Sequence, residues 1–348
     1  MNYLNAQAIG RGHTGVATAG GVNSVLINPA SLELDAAYSY FELFLKPSIE
    51  EMNTKVFENN NNDAYVSQNY ISESPFGIVG FGMPAGSLYL AFTFSTPQSL
   101  EYDSFARELN SEDEIILHPS FVRYQFATTL ATRWRDFSFG LNLLADLYSQ
   151  KDYRSYWQMG RQDTSDWLLR AQAGVRWRRE SLELGVAYTP AVDKEFDLDY
   201  QEEYDTTIPA VLTAGAAWRL GSVKLLADVE HQACSQQSSY YDDRIRLKFG
   251  VEKYSGPYTL RAGAMHVSGV YSGEVAFPDA PDSISVQNTY YLPKEDQAYI
   301  VIPENDQLFI TGGISYAFRS GDLHLGGLIS WHRPAPVPCA GWSRSARR

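Results

Sequence analysis

The run Trp167-Leu-Leu-Arg-Ala-Gln-Ala-Gly-Val-Arg-Trp-Arg178 decides the fold. In an extended chain successive side chains point to opposite faces, so Trp167, Leu169, Ala171, Ala173, Val175 and Trp177 form an apolar stripe while Arg170, Gln172, Arg176 and Arg178 fall on the other side. Aromatics stand near both ends of the stripe, as in a strand that crosses a bilayer between two aromatic girdles. A soluble β-protein would have to bury this stripe, and no segment of the chain offers itself as the cover.

The neighbouring runs repeat the pattern. Val122, Tyr124, Phe126, Leu130 and Trp134 oppose Arg123, Gln125 and Arg133, and Phe137, Phe139, Leu141, Leu143, Ala145 and Leu147 oppose Ser138, Gly140, Asn142 and Asp146. Ile245, Leu247, Phe249 and Val251 lie opposite Arg244, Arg246, Lys248 and Glu252, a density of charge that a packed core does not accept and a polar lumen does. Strands are expected near 36–46, 76–83, 86–96, 119–133, 136–150, 166–179, 181–190, 206–220, 222–233, 243–254, 257–270, 306–319 and 321–332.

Connections between these runs alternate in length. Short turns are expected at Pro84-Ala85, Arg135-Asp136, Arg179-Glu180, Gly221, Ser255-Gly256 and Ser320-Gly321, and long polar segments at 47–75, 97–118, 151–165, 191–205, 234–242 and 271–305. Outer-membrane barrels have short periplasmic turns and long outer loops, so the first strand should run outward and the residues before Ala36 should begin at the periplasmic mouth. The fold class is therefore an all-β transmembrane antiparallel barrel of the even-stranded, 14-stranded kind. Its organisation is expected to be a hatch at 1–35, a barrel at 36–332 and a tail at 333–348.

That tail holds three prolines in five residues, Pro334, Pro336 and Pro338, and proline cannot donate to a ladder between two neighbours. It reads as a frameshifted or misassembled end in place of the closing strand. Met1 to Ile9 lacks the basic and apolar regions of a signal peptide, so an export signal is expected to have been trimmed or lost from the reading frame.

Composition narrows the function classes. The 348 residues carry a net charge of −13 with no basic stripe to neutralise phosphates, which excludes a nucleic-acid partner. The acidity concentrates in Glu101 to Glu114 and Asp193 to Asp205, which read as loops. Aromatics make up 14% of the chain, against only two cysteines, Cys234 and Cys339, so no disulfide framework or metal cluster is expected. No window approaches the roughly eighteen apolar residues of a membrane helix.

Ahead of the strands stands Gly10-Arg-Gly-His-Thr-Gly-Val-Ala-Thr-Ala-Gly-Gly-Val-Asn-Ser-Val-Leu-Ile-Asn-Pro-Ala-Ser-Leu32, too rich in glycine for a good helix. Gly10-x-Gly12-x-x-Gly15 matches a dinucleotide fingerprint with Asp35 downstream, but Gly20-Gly21 would break the required helix and no βαβ alternation follows. Asn28 suits the cap of a short helical turn with Pro29 at its first position. The small residues before it suit a chain packed closely against a barrel wall.

Gly-x-x-Gly-x-Ala followed by Asn28-Pro29-Ala30-x-Leu32 resembles the N-terminal hatch of the FadL/TodX family of outer-membrane transporters. Partial matches at Ile208-Pro209-Ala210 with Leu212 to Arg219, and at Leu247 to Glu252 with Tyr258 to Gly263, extend the resemblance to about His332. It implies fourteen strands, an outer-membrane location, and passive ligand-gated diffusion of long-chain fatty acids or other hydrophobic compounds, with no reaction catalysed and no cofactor. It also implies a hatch containing Gly10, Gly12, Gly15, Asn28, Pro29 and Ala30, and a lateral exit tied to an inward kink in the third strand. The segment Ser87 to Ser95 has no internal Gly or Pro, although Gly77, Gly80 and Gly82 could deform its partner.

Arg123, Arg170, Arg176, Arg244, Arg246 and Arg261 fall in the lumen phase. Two readings are open: charge-assisted hydrogen bonds to a substrate carboxylate, or pairing with Asp146, Glu183, Asp228, Glu230 and Glu252 to stiffen the wall. Glu230-His231-x-x-Cys234 reads as a strand end and not as a metal site. Asp197, Asp199, Glu202, Glu203 and Asp205 read as a solvated loop with no calcium-binding pattern. No Ser–His pair of a membrane phospholipase stands out.

The expected function is thus an outer-membrane diffusion channel for hydrophobic or amphipathic small molecules, fatty acids or aromatic hydrocarbons. It would be a monomer among outer-membrane lipid and lipopolysaccharide. The alternative is a barrel used as a protein-interaction or secretion-associated platform.

Overall fold

The computed structural model describes residues 5–43, 49–51, 65–72, 76–108, 114–117, 120–152, 162–196, 204–236, 241–270, 283–286, 290–293, 306–319 and 321–331. All thirteen expected strands are present: β1 (Tyr38–Leu43), β2 (Phe76–Ala85), β3 (Leu88–Glu108), β4 (Ser120–Trp134), β5 (Phe137–Asp152), β6 (Gln162–Arg179), β7 (Leu182–Thr189), β8 (Val211–Leu220), β9 (Val223–Gln232), β10 (Arg244–Ser255), β11 (Tyr258–Val267), β12 (Gln307–Ala317) and β13 (Asp322–Trp331). Each pairs antiparallel with the next in sequence, giving a single meander. No helix of the described residues is long and apolar enough to cross a membrane.

Short turns join β2–β3, β4–β5, β6–β7, β8–β9 and β10–β11 at one rim. Several need a left-handed residue, supplied by Gly86 (φ 68), Arg135 (φ 55), Glu180 (φ 53), Gly221 (φ 60) and Gly256 (φ 58). Such residues match the twist of two-residue hairpins. The first turn therefore falls at Gly86-Ser87 and not at Pro84-Ala85, because only the glycine takes that backbone without strain.

Among the described residues, four expected loops, 47–75, 97–118, 191–205 and 271–305, contain strands of their own, the last a hairpin of Ser283–Val286 with Tyr290–Pro293. Glu101 to Glu108 continues β3 beyond the apolar band and pairs with Tyr65–Ser72, while Glu114–Leu117 pairs back on β3. Polar and apolar residues are mixed on both faces of this stretch, so the ladder runs on past the point where the apolar alternation ends. Val192–Phe196 pairs with Tyr204–Ile208 in a separate hairpin, so the expected strand 206–220 is split at Pro209-Ala210. Proline there removes a ladder donor. Asp197, Asp199, Glu202, Glu203 and the tail at 333–348 lie outside the described residues.

The two faces differ as the alternation demands. Leu169, Leu143, Phe249 and Ile310 point outward and are more than half exposed, whereas Asn142, Asp146, Arg176 and Glu252 point inward and are buried. With no water in the bilayer to satisfy backbone groups, strands must pair with one another and present hydrocarbon outward.

β1 and β13 end the meander. Between them lies the five-residue helix α1 (Ala6–Gly10): the Ala6 amide donates to Glu42 of β1, and Gln7 Nε2 lies 2.7 Å from His324 Nε2 of β13.

Candidate functional site

The lumen is occupied by the chain's own first segment. Asn5 caps α1, its side-chain oxygen accepting from the Ala8 amide at 2.7 Å. A second short turn spans Val22–Ser24, and a third, Pro29–Ser31, is capped by Asn28, whose Oδ1 accepts from the Ala30 amide at 3.0 Å with Pro29 at the first position. Asn28 Nδ2 donates to the Val16 carbonyl at 2.6 Å and so ties two parts of the segment together. Gly20 and Leu32 form an isolated bridge that closes the intervening loop.

From Asn5 to Thr18 the segment meets the wall chiefly through polar groups, with Val16 packed on Ala187 and Ala17 on Ala217 and Leu226. Arg11 Nη1 donates to Glu252 of β10 at 3.2 Å, and its Nε donates to the Thr14 carbonyl at 2.8 Å. The amides of Gly15 and Val16 donate to one oxygen of Asp228 on β9 at 2.6 and 3.1 Å. The Gly12 amide donates to Thr311 of β12 at 2.9 Å. His13, with φ 60, is buried, and its Nε2 has no hydrogen-bond partner. Burial lowers its pKa to about 3, and the nearby Lys248 acts in the same direction.

From Val22 to Leu34 the contacts are apolar for the most part, with Glu33 ion-paired to Arg176 near the end of the span. Val22, Val25, Leu32 and Leu34 pack with Tyr40, Ile78, Ala91 and Ala131 from β1 to β4. Asn142 crosses this region with one hydrogen bond, Nδ2 to the Val25 carbonyl at 2.7 Å.

What brings segment and wall together is a girdle of glycines on the lumen face. A Cβ on Gly250 or Gly263 would overlap the backbone of Arg11 and Gly12, and one on Gly185 would overlap that of Val16. Gly140 and Gly174 leave room for Pro29 and Asn28, and Gly326 leaves room for the carbonyl of Ala6. Of the hatch residues expected from sequence, Gly10 lies against Gly313, Gly12 against Gly263, and Gly15 against the Arg11 guanidinium. Asn28, Pro29 and Ala30 are all buried in the lumen.

The six expected arginines face inward and fall at four places. Arg123 and Arg170 both approach Asp146, with Arg123 Nε at 3.6 Å from Oδ1 and Arg170 Nε at 2.7 Å from Oδ2. Arg246 pairs with Glu230, which Lys248 also contacts at 2.5 Å, and Arg244 stands one rung further from the short-turn rim, opposite Gln232. Arg261 donates to Glu252 at 2.7 Å beside Arg11, and Arg176 pairs with Glu33. Asp228 differs from the expectation that it pairs with an arginine, since its carboxylate caps the amides of Gly15 and Val16. Glu183 is held by Lys224 at 3.1 Å. Arg11 and Glu33 were absent from the sequence-based candidates, because the segment's contacts with β10 and β6 lie 241 and 143 residues away along the chain.

The β2–β4 region carries a second irregularity. Between Ser95–Gln125 and Gln98–Arg123, two residues of β3, Thr96 and Pro97, oppose the single Tyr124 of β4. This is a bulge, and it corrects the reading of the third strand as free of proline: the strand runs on to Glu108 and contains Pro97. Among the described residues, the β2–β3 ladder ends at Ile78–Ser95, and the next ladder on that edge begins at Ser72–Glu101. A further register shift at Glu42/Leu43 leaves Gly77 out of the β1–β2 pairing.

No family model and no curated protein sequence matches the chain. Solved structures do. A Pseudomonas aeruginosa FadL homologue aligns with TM-score 0.60 at 14% identity, over 94% of this chain and 89% of its own. The Pseudomonas putida toluene transporter TodX aligns with TM-score 0.60 at 12% identity, over 94% and 92%. The Ralstonia pickettii toluene transporter TbuX aligns with TM-score 0.52 at 13% identity, over 94% and 97%. Thirteen meandering strands around a lodged N-terminal segment, aligned over nearly the whole length of these structures, give the chain the fold of the FadL-type outer-membrane transporters.

Proposed function

We propose that the protein is an outer-membrane channel for hydrophobic or amphipathic small molecules, long-chain fatty acids or aromatic hydrocarbons, with residues 1–35 as its hatch. The short-turn rim faces the periplasm, the barrel stands as a monomer among lipid and lipopolysaccharide, and diffusion through it is passive. The observation that carries this reading is the juxtaposition at β2–β4. The break in the β2–β3 ladder adjoins Ile78, which belongs to the apolar cluster of Val22, Val25, Leu32 and Leu34. An apolar compound that displaces part of that cluster meets hydrocarbon-compatible side chains on one side and an interrupted ladder on the other.

Bulges re-aim a strand and end pairing, and proline at a bulge removes a donor that the ladder would otherwise need. A route to the bilayer through this break keeps an apolar solute out of water, which matters because each buried methylene is worth about 0.8 kcal/mol. Arg123 and Arg170, two guanidiniums on one Asp146, are the wall groups placed to meet an amphipathic substrate's head, with Arg244 and Arg246 beside Glu230 as a second pair. Liposomes containing the protein should take up labelled alkylbenzene or fatty acid faster than protein-free liposomes. Uptake equal to the controls for both would refute the channel.

A further inference from the structure

At the short-turn mouth three guanidiniums converge on one carboxylate. Arg176 of β6 pairs with Glu33 Oε1, Arg178 Nη1 lies 3.7 Å from Oε2, and Arg133 Nη1 of β4 lies 4.0 Å from the same oxygen. Arg176 has a side chain only 1% exposed and engages Glu33 through Nη2, while its Nε and Nη1 are buried with no hydrogen-bond partner. Glu183, the other carboxylate that acts on Arg176, is already held by Lys224. Arg133 and Arg178 are 40% and 37% exposed, so the cluster runs from a dry guanidinium out to water.

This arrangement is not balanced as a structural ion pair. One carboxylate has four lone-pair sites and forms its best bidentate geometry with a single guanidinium, not with three. An unmatched donor on a buried charged group costs more than an ordinary lost hydrogen bond. The local excess of positive charge also stands out in a chain of net charge −13.

We infer that the Arg133–Arg176–Arg178 cluster is a binding site for a second carboxylate, that of a small organic acid entering from the short-turn mouth, and that Glu33 is its built-in competitor. The incoming carboxylate accepts from Arg178 and Arg133 at the exposed edge and competes with Glu33 for the incompletely matched guanidinium of Arg176. Glu33 stands next to Leu34 at the end of the hatch, so occupation of the site loosens that end. The site needs no particular transported substrate, and its failure would leave the channel reading untouched.

Calorimetric titration of the full chain in detergent tests this, with octanoate as the probe, octanol as its uncharged counterpart and inorganic phosphate as a non-carboxylate anion. Octanoate should show a binding component that octanol lacks, any octanol binding at the apolar cluster being the same with and without Arg133 and Arg178, and phosphate should bind at least about tenfold more weakly. The R133Q/R178Q double variant should weaken octanoate by about tenfold or more, and Glu33→Gln, which removes the competitor, should strengthen it about tenfold. Heat-modifiable gel migration shows that each variant is folded; if Glu33→Gln fails this check, the double variant decides alone. The site would be overturned by octanoate affinity equal in wild type and double variant, by octanol binding that weakens in the double variant as much as octanoate does, or by phosphate matching octanoate.

Discussion

The two halves of the hatch are held by different forces. From Asn5 to Thr18 the backbone itself is hydrogen-bonded to Asp228 and Thr311 and seated on Gly250 and Gly263. From Val22 to Leu34 side chains pack against side chains of β1 to β4, with Pro29 seated on Gly140 and Glu33 paired with Arg176. Hydrogen bonds are directional and costly to leave unmade, so the first half has one seat. Burial of hydrocarbon is non-directional and proportional to area, so the second half keeps most of its stabilisation through small displacements. In the proposed channel the first half would be the anchor and the second the part that a hydrophobic solute shifts.

The sharpest test places one methyl group under each half. Gly250→Ala would push a Cβ into the carbonyl of Arg11 and Oγ1 of Thr14, and the first of these is backbone. Overpacking of this kind costs about 3 kcal/mol at the upper end, and Arg11 should become open to trypsin in an otherwise folded barrel. Gly82→Ala meets the ends of the Leu34 and Val22 side chains at 2.8 Å and the Leu90 carbonyl at 3.2 Å, contacts relieved chiefly by side-chain movement, so it should cost about 1 kcal/mol and leave Arg11 protected. Equal trypsin sensitivity in the two variants would erase the distinction between the halves.

Acid should also release the anchor selectively. His13 is held neutral by burial and by Lys248, with Arg246 acting in the same direction and Glu230 opposing. Its folded pKa of about 3 lies below the unfolded value of 6.5, so the unfolded hatch binds the proton first. Stability is then full above pH 6.5 and falls as pH drops from there towards 3, by about 2 kcal/mol at pH 5. Hatch proteolysis measured between pH 7 and pH 5 should show this slope, and His13→Asn, which tolerates the left-handed backbone, should flatten it. A slope unchanged in His13→Asn would move the acid sensitivity elsewhere.

The strands were legible because a period of two survives in every one of them, and the outward stripe from Trp167 to Trp177 reports the bilayer directly. The small residues of the hatch were legible for the same local reason. Its seat was not. Gly140, Gly174, Gly185, Gly215, Gly250 and Gly263 each occupy the lumen phase of a different strand from β5 to β11, except β9, but nothing within one strand shows that they meet the same backbone. A reading across strands had that signal available: one glycine recurs at the inward phase of strand after strand. Asp228 was misread for a related reason. An inward carboxylate among arginines suggests an ion pair, and only the fold brings the bare amides of Gly15 and Val16 to it. Pro97 was placed in a loop because the apolar alternation of β3 ends there, whereas the ladder continues.

Asn28 joins the halves, accepting from Ala30 in the second and donating to Val16 in the first. Asn28→Ala removes a cap and leaves the Val16 carbonyl without that donor, which together cost roughly 1–2 kcal/mol. Solute flux through liposomes should change more than barrel melting, since the barrel's own ladders do not involve this residue. Equal loss of both would reduce Asn28 to a structural cap.

The smallest expected effect is the most specific. Ile78 is 1% exposed, belongs to the apolar cluster and forms the last rung of the β2–β3 ladder with Ser95. Ile78→Val removes one methylene while keeping β-branching and the backbone pair, at a cost of about 1 kcal/mol. Because the lost contact lies where the second half of the hatch meets the ladder break, hydrocarbon flux should rise while Arg11 stays protected from trypsin. If flux falls or stays level while the protein melts lower, the apolar half is a static core and the moving part of the hatch must be sought in the polar half, which Gly250→Ala then reports.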